Sequence, residues 1–146
     1  MQKLLDDCKK AYGERNYSRV ELICNRILEQ DKSNETALEY KILSLAFLEK
    51  DEEVLECADY AINLYPDNYR FYFEKAETLL WAFEDVDGAI ECYERGLSLV
   101  EDFERHWPSV DNMVIALYRK AESQSHSWES RIPPSSPFLL RSPAQV

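Results

Sequence analysis

The stretch Asn16-Tyr17-Ser18-Arg19-Val20-Glu21-Leu22-Ile23-Cys24-Asn25-Arg26-Ile27-Leu28-Glu29-Gln30-Asp31-Lys32-Ser33-Asn34 returns in character at residues 54 to 68, which close on Ala61-Ile62-Asn63-Leu64-Tyr65-Pro66-Asp67-Asn68. Asn34 and Asn68 stand 34 residues apart, as do Val20 and Val54. A third copy, Ala89-Ile90-Glu91-Cys92-Tyr93-Glu94-Arg95-Gly96-Leu97, is displaced by 35, with the extra residue taken up in the turn Phe83-Glu84-Asp85-Val86-Asp87-Gly88. A period of about 34 residues carrying two helical patterns marks a helical-hairpin repeat, whose units bury their apolar faces only by stacking on one another.

Composition agrees with that reading. A chain of 146 residues allows one domain, and 45% hydrophobic content is enough for a packed core. Only three glycines, with Leu, Glu, Ala, Lys and Arg frequent, point to an all-α chain. The pattern predicts helices over residues 2–13, 17–30, 35–49, 52–64, 69–83 and 87–99, and a seventh over 108–122. Ser33-Asn34, Asp67-Asn68 and Asp51 are placed to cap helices, Glu35 and Glu52-Glu53 put negative charge into first turns, and Gly13 closes the first helix. Pro108 suits the first turn of the seventh helix, which is expected to close the stack through Trp107, Val110, Val114, Leu117 and Tyr118.

Within the period, large and small residues recur in register. Leu4, Leu38 and Tyr72 are followed a turn later by Cys8, Ile42 and Ala76, and then by Ala11, Leu45 and Leu79. The second half of each unit carries Val20, Val54 and Ala89, then Cys24, Ala58 and Tyr93, then Ile27, Ala61 and Gly96. In these positions the chain resembles the tetratricopeptide-repeat (TPR) family over about residues 1 to 101, with Ile42 departing from the family's small-residue rule and Pro66 alone supplying its terminating proline. The resemblance implies a right-handed superhelical solenoid of antiparallel helix pairs, about seven helices in all. Its repeats would fall at about 1–34, 35–68 and 69–103, with a capping helix at 108–122 completing a domain over 1–122. It also implies a protein-binding scaffold or adaptor that takes a peptide or helix of a partner in its concave groove. A structural subunit of a larger assembly and a co-chaperone are the alternatives.

By family geometry the groove positions are Leu5, Lys9 and Tyr12 in the first unit, Thr36, Tyr40, Leu43 and Phe47 in the second, and Arg70, Phe73, Glu77 and Trp81 in the third. An aromatic stripe at helical spacing is more often core than binding surface, so each of these has two readings. Facing the groove, they make an apolar trough with an acidic rim, suited to an apolar segment with basic flanks. The family's carboxylate clamp for acidic chaperone tails is broken: its positions hold Leu5, Lys9, Tyr40, Arg70 and Glu74, and only Arg70 matches in type and place.

Charge narrows the partner. Residues 1 to 122 hold 27 acids against 15 bases, a net of −12, while residues 123 to 146 hold one acid and two bases. Such a body repels phosphate backbones, so no nucleic acid is expected. No run approaches the roughly 18 apolar residues of a membrane span, and residues 1 to 7 lack a signal-peptide core. No membrane partner is expected, and the protein is placed inside the cell, in the cytoplasm with the nucleus open. Cys8, Cys24, Cys57 and Cys92 form no C-x-x-C pair and neither His106 nor His126 lies near a cysteine, so they read as small buried residues and no metal is expected. There is no glycine-rich phosphate loop, G-x-S-x-G elbow or H-E-x-x-H, and acids such as Glu52-Glu53 and Asp85-Asp87 sit at helix starts, so neither an enzyme nor a cofactor is expected. Residues 123–146 turn Ser- and Pro-rich and lose the helical period, the pattern of a disordered tail. There Arg131, Pro134 and Pro137 fit an R-x-x-P-x-x-P ligand of the kind SH3 domains take, and Phe138-Leu139-Leu140 is an apolar triplet able to occupy the groove. Oligomeric state is left open.

Overall fold

The computed structural model describes residues 1–101 and 107–129, with the side chains of 107 and 125–129 outside the description. The described residues form seven helices and no strand: α1 (Gln2–Gly13), α2 (Tyr17–Gln30), α3 (Glu35–Phe47), α4 (Asp51–Leu64), α5 (Tyr69–Trp81), α6 (Val86–Leu99) and α7 (Trp107–Glu129). Each helix packs on the next, and α1 also meets α3, α3 meets α5 and α5 meets α7. The odd-numbered helices therefore line one wall of the stack.

Helix starts follow from short polar side chains. Asn16, Asn34 and Asp85 accept from the backbone N–H groups of Arg19, Ala37 and Gly88, and Asn68 accepts from that of Arg70. Asp51 behaves differently from expectation. It is the first residue of α4 and contributes charge to the first turn beside Glu52 and Glu53, while the capping place is held by Lys50 without a side-chain bond.

Helix ends carry their own repeat. Arg15, Glu49 and Glu84 have positive φ of 58°, 57° and 54°, at one residue per unit. After α1 and α3 the chain reverses through the same bond, Asn16 N–H to Ala11 C=O and Lys50 N–H to Leu45 C=O, each 2.9 Å, which satisfies a carbonyl that the helix leaves orphaned. In the third unit the inserted residue stretches that bond to Asp85 N–H and Leu79 C=O. This turn is why α3 and α5 stop at Phe47 and Trp81, two residues short of the expected ends. No glycine takes the left-handed place; Gly13 is the last residue of α1.

The nine recurring positions of the second helices, from Val20 to Gly96, are all buried. They supply three stacked cores. Cys8, Ala11, Cys24 and Ile27 belong to the first, Leu38, Ile42, Val54 and Ala58 to the second, and Ala76, Leu80, Tyr93 and Leu97 to the third. Cys8 and Cys24 meet across α1 and α2 with Sγ atoms 3.5 Å apart. That contact and burial push the Cys24 thiol well above its ordinary pKa.

The seventh helix departs from expectation in length and in face. It runs to Glu129, so residues 123–129, assigned by composition to the tail, are helical. No Gly or Pro interrupts the chain between Pro108 and Pro133, and Ser, Gln and His tolerate propagation of an established helix. Its packed side is Ser109, Val110, Met113 and Ala116, with Ala116 wholly buried. Small Ser109 and Ala116 let α7 sit close on α6 and α5. Val114, Leu117 and Tyr118, which were expected to close the stack, point outward and are 55%, 42% and 65% exposed. Trp107's side chain, Arg131, Pro134, Pro137 and the Phe138-Leu139-Leu140 triplet lie outside the described residues.

Candidate functional site

The wall of odd-numbered helices encloses a trough of about 630 Å³. Lys9 and Tyr12 reach it from α1, Thr36, Tyr40 and Leu43 from α3, Arg70, Phe73 and Glu77 from α5. Tyr12 and Tyr40 meet edge to face at 5.3 Å and form its apolar flank, with Leu43 behind them.

Three expected positions lie elsewhere. Leu5 is half-buried against the first core. Phe47 sits one turn beyond Leu43 at the end of α3, 56% exposed and stacked on Tyr17 at 4.3 Å. Trp81 sits one turn beyond Glu77 at the end of α5, with the Arg119 guanidinium 4.9 Å from its ring centroid. A helical turn advances about 5.4 Å, enough to carry both rings past the trough. Phe73 touches the trough from below and is a core residue, 6% exposed, packed with Tyr69 and Tyr93.

Glu39, absent from the expected groove positions, and Glu74, expected only as a clamp position, join the expected Arg70 and Glu77 in setting its electrostatics. Glu39 takes the Arg70 guanidinium at 3.1 Å and the Asn68 amide at 2.8 Å. Subtracting the 34-residue period from position 70 gives position 36, and one turn further along is 39, so the repeat register itself carried the signal. Glu74 and Glu77 stand one turn apart on α5. Burial, and then the like charge of Glu77, push the Glu74 carboxyl up to about 7. Burial raises Glu77 as well, opposed by the Asn112 amide, which donates to Glu77 Oε1 at 3.4 Å. Asn112 lies 35 residues after Glu77, again one repeat on.

Beneath this pair lies Tyr93, wholly buried, whose hydroxyl has no hydrogen-bond partner among the described residues. Glu77, Glu74 and Cys92 act on it through charge, and the Asn112 side chain approaches it without completing a bond of normal geometry. A phenol desolvated without a partner carries a penalty of about 1–3 kcal/mol. Tyr93→Phe, which keeps the ring and deletes that oxygen, is therefore expected to raise stability by about 1 kcal/mol in urea unfolding. A loss of stability of similar size would show that the hydroxyl is satisfied.

No protein-family profile matches the chain. A TPR repeat-containing protein of Methanocaldococcus jannaschii is 27% identical over 105 residues, spanning 72% of this chain and 18% of its own length. Among solved structures, the type III secretion chaperone SycD of Yersinia enterocolitica, in complex with a peptide of the translocator YopD, superposes with a TM-score of 0.76. It is 14% identical and covers 82% of this chain and 93% of its own. The chain has the tetratricopeptide-repeat fold. The TPR2B domain of yeast Sti1, solved with an Hsp70 peptide, has a TM-score of 0.74 at 14% identity, over 81% of this chain and 96% of that one. At such identities the likeness establishes the TPR fold and leaves the groove to be read from its own side chains. No helix among the described residues of this TPR stack is long and apolar enough to cross a membrane.

Proposed function

We propose that this TPR-fold protein is a non-catalytic adaptor that holds an apolar peptide or helix bearing basic residues in the trough between α1, α3 and α5. The observation that carries the reading is the pairing of an apolar flank, Tyr12, Tyr40 and Leu43, with the acids Glu39, Glu74 and Glu77 in one concavity. Where the family's clamp presents cations to an acidic tail, this groove presents Glu74, and its matching Arg70 is already neutralised by Glu39. An acidic chaperone tail would meet like charge there. SycD and the Sti1 domain, solved with peptides of partner proteins, support peptide binding as the use of this fold.

The test is selection of peptides on the full chain from a randomised library, followed by binding to Tyr40→Ala/Leu43→Asp. Both positions are half-buried and line the trough, so the variant is expected to keep its helical circular dichroism and weaken selected peptides by about 100-fold. Unchanged affinity would end the adaptor reading. A second reading, a subunit of a larger assembly, is favoured by the outward stripe Val114, Leu117 and Tyr118 on α7, where a further repeat would stack. Light scattering that finds a stable monomer at the binding concentrations would remove it.

A further inference from the structure

Of the three acids that line the trough, Glu39 has an ion pair and two have none among the described residues. Glu21 meets Lys50 at 2.8 Å, Glu39 meets Arg70 at 3.1 Å, Asp59 meets Lys75 at 2.6 Å and Asp87 meets Lys120 at 3.0 Å. Glu74 and Glu77, set into the groove on one face of α5, have no cationic partner among the described residues. Two neighbouring carboxylates taken out of water without a counter-charge are costly, and the single amide of Asn112 offsets part of that.

The groups around this corner show what is missing. From α1 it is faced by Lys9 and Tyr12, from α3 by Glu39 and Tyr40, from α5 by Arg70, from α6 by Tyr93 and from α7 by Asn112. Arg70 is engaged by Glu39, and among the described residues no ion pair joins it or Lys9 to Glu74 or Glu77. What converges on the trough is a pair of acceptors, the two carboxylates, with the wholly buried Tyr93 hydroxyl beneath them. An alkylammonium brings three donors and no acceptor, which matches them. Tyr12, close enough to Glu74 to feel its charge, offers a ring along which an aliphatic stem can lie.

We propose that the Glu74–Glu77–Tyr93 corner is the seat of one lysine ammonium from the bound peptide, a desolvated anchor distinct from basic residues resting on the rim. The inference rests on the adaptor reading for the source of the lysine, and on the corner's own geometry for its chemistry. The ammonium displaces the proton held on Glu74, so affinity rises with pH through neutrality.

Two measurements on the full chain separate these layers. In the first, n-butylammonium chloride is titrated into carbon-13-labelled protein at about pH 8, with sodium chloride at equal ionic strength and n-butanol as controls. Saturable shifts of the Glu74 and Glu77 carboxyl resonances are expected with butylammonium alone, and loss of the accompanying Tyr12 shifts in Glu74→Gln/Glu77→Gln. Shifts no larger than those with sodium chloride overturn the proposal. In the second, each lysine of a groove-selected peptide is replaced by norleucine. One replacement is expected to weaken binding about tenfold in the wild type and less than about twofold in Glu74→Gln/Glu77→Gln. If groove-bound peptides show no such lysine, the anchor is overturned and the adaptor reading stands. If butylammonium binds and no peptide does, the corner takes a free amine, and the peptide source is overturned together with the adaptor reading.

Discussion

Phe73→Ala is expected to cost about 3–5 kcal/mol of folding stability, the largest effect of a single truncation in the third unit. The ring is 6% exposed, its centroid lies 5.6 Å from that of Tyr69 and 6.4 Å from that of Tyr93, and its edge fills the space over Gly96. A methyl group added at Gly96 would stand 2.5 Å from Phe73 Cε1 and 2.7 Å from Cδ1. α5 and α6 are thus held at a separation that only glycine permits under this ring. Gly96→Ala should gain about 1 kcal/mol of helix propensity and lose about 1–3 to overpacking, a net destabilisation in the wild type. In the Phe73→Ala background the ring is gone and the propensity gain should remain alone, reversing the sign. A double-mutant cycle by urea unfolding measures this, and an equal effect of Gly96→Ala in both backgrounds would remove the account. Because Phe73 is core, a charge placed there unfolds the unit and reports nothing about the groove.

The second large effect is a change in how stability depends on pH. Glu74 has an ordinary carboxyl pKa near 4.5 when unfolded and about 7 when folded. Between these values the folded state binds the extra proton, so stability falls as pH rises from about 4.5 to about 7 and the penalty is complete above that. Glu74→Gln removes the group. It is expected to leave stability unchanged near pH 4 and to raise it by about 1–2 kcal/mol near pH 8, a figure reduced for the partial exposure of the side chain. Titrating groups that do not interact with Glu74 cancel when variant and wild type are compared at each pH, and relief of the like charge on Glu77 acts in the same direction. A difference that stays flat across the range would show that Glu74 is ordinarily solvated.

Much of the groove was legible because the repeat is a register. Lys9, Tyr12, Thr36, Tyr40, Leu43, Arg70, Phe73 and Glu77 follow from counting positions along the first helix of each unit, and all of them touch the trough. Leu5, Phe47 and Trp81 satisfy the same count and miss it. The trough is shorter than the helices, and where it stops is set by the turns at Arg15, Glu49 and Glu84, whose left-handed backbone no glycine announces. The seventh helix was misjudged for a related reason. Val114, Leu117 and Tyr118 look like a core stripe, yet the helix turns the face carrying Ser109, Val110, Met113 and Ala116 to α5 and α6, where small Ser109 and Ala116 allow a close approach.

Period, helix count, capping asparagines and the small-large alternation of the second helices were determined by the sequence alone, because each rests on contacts within one unit or between neighbouring units in a known register. The state of the acids was decided only by the tertiary structure. In sequence Glu39, Glu74 and Glu77 are three of many acids on an acidic body; in the fold one finds Arg70, and two are drawn out of water over a buried phenol with no cation beside them. Charge and spacing can be read along a chain. Desolvation depends on which helices close over a side chain, and that is a property of the stack.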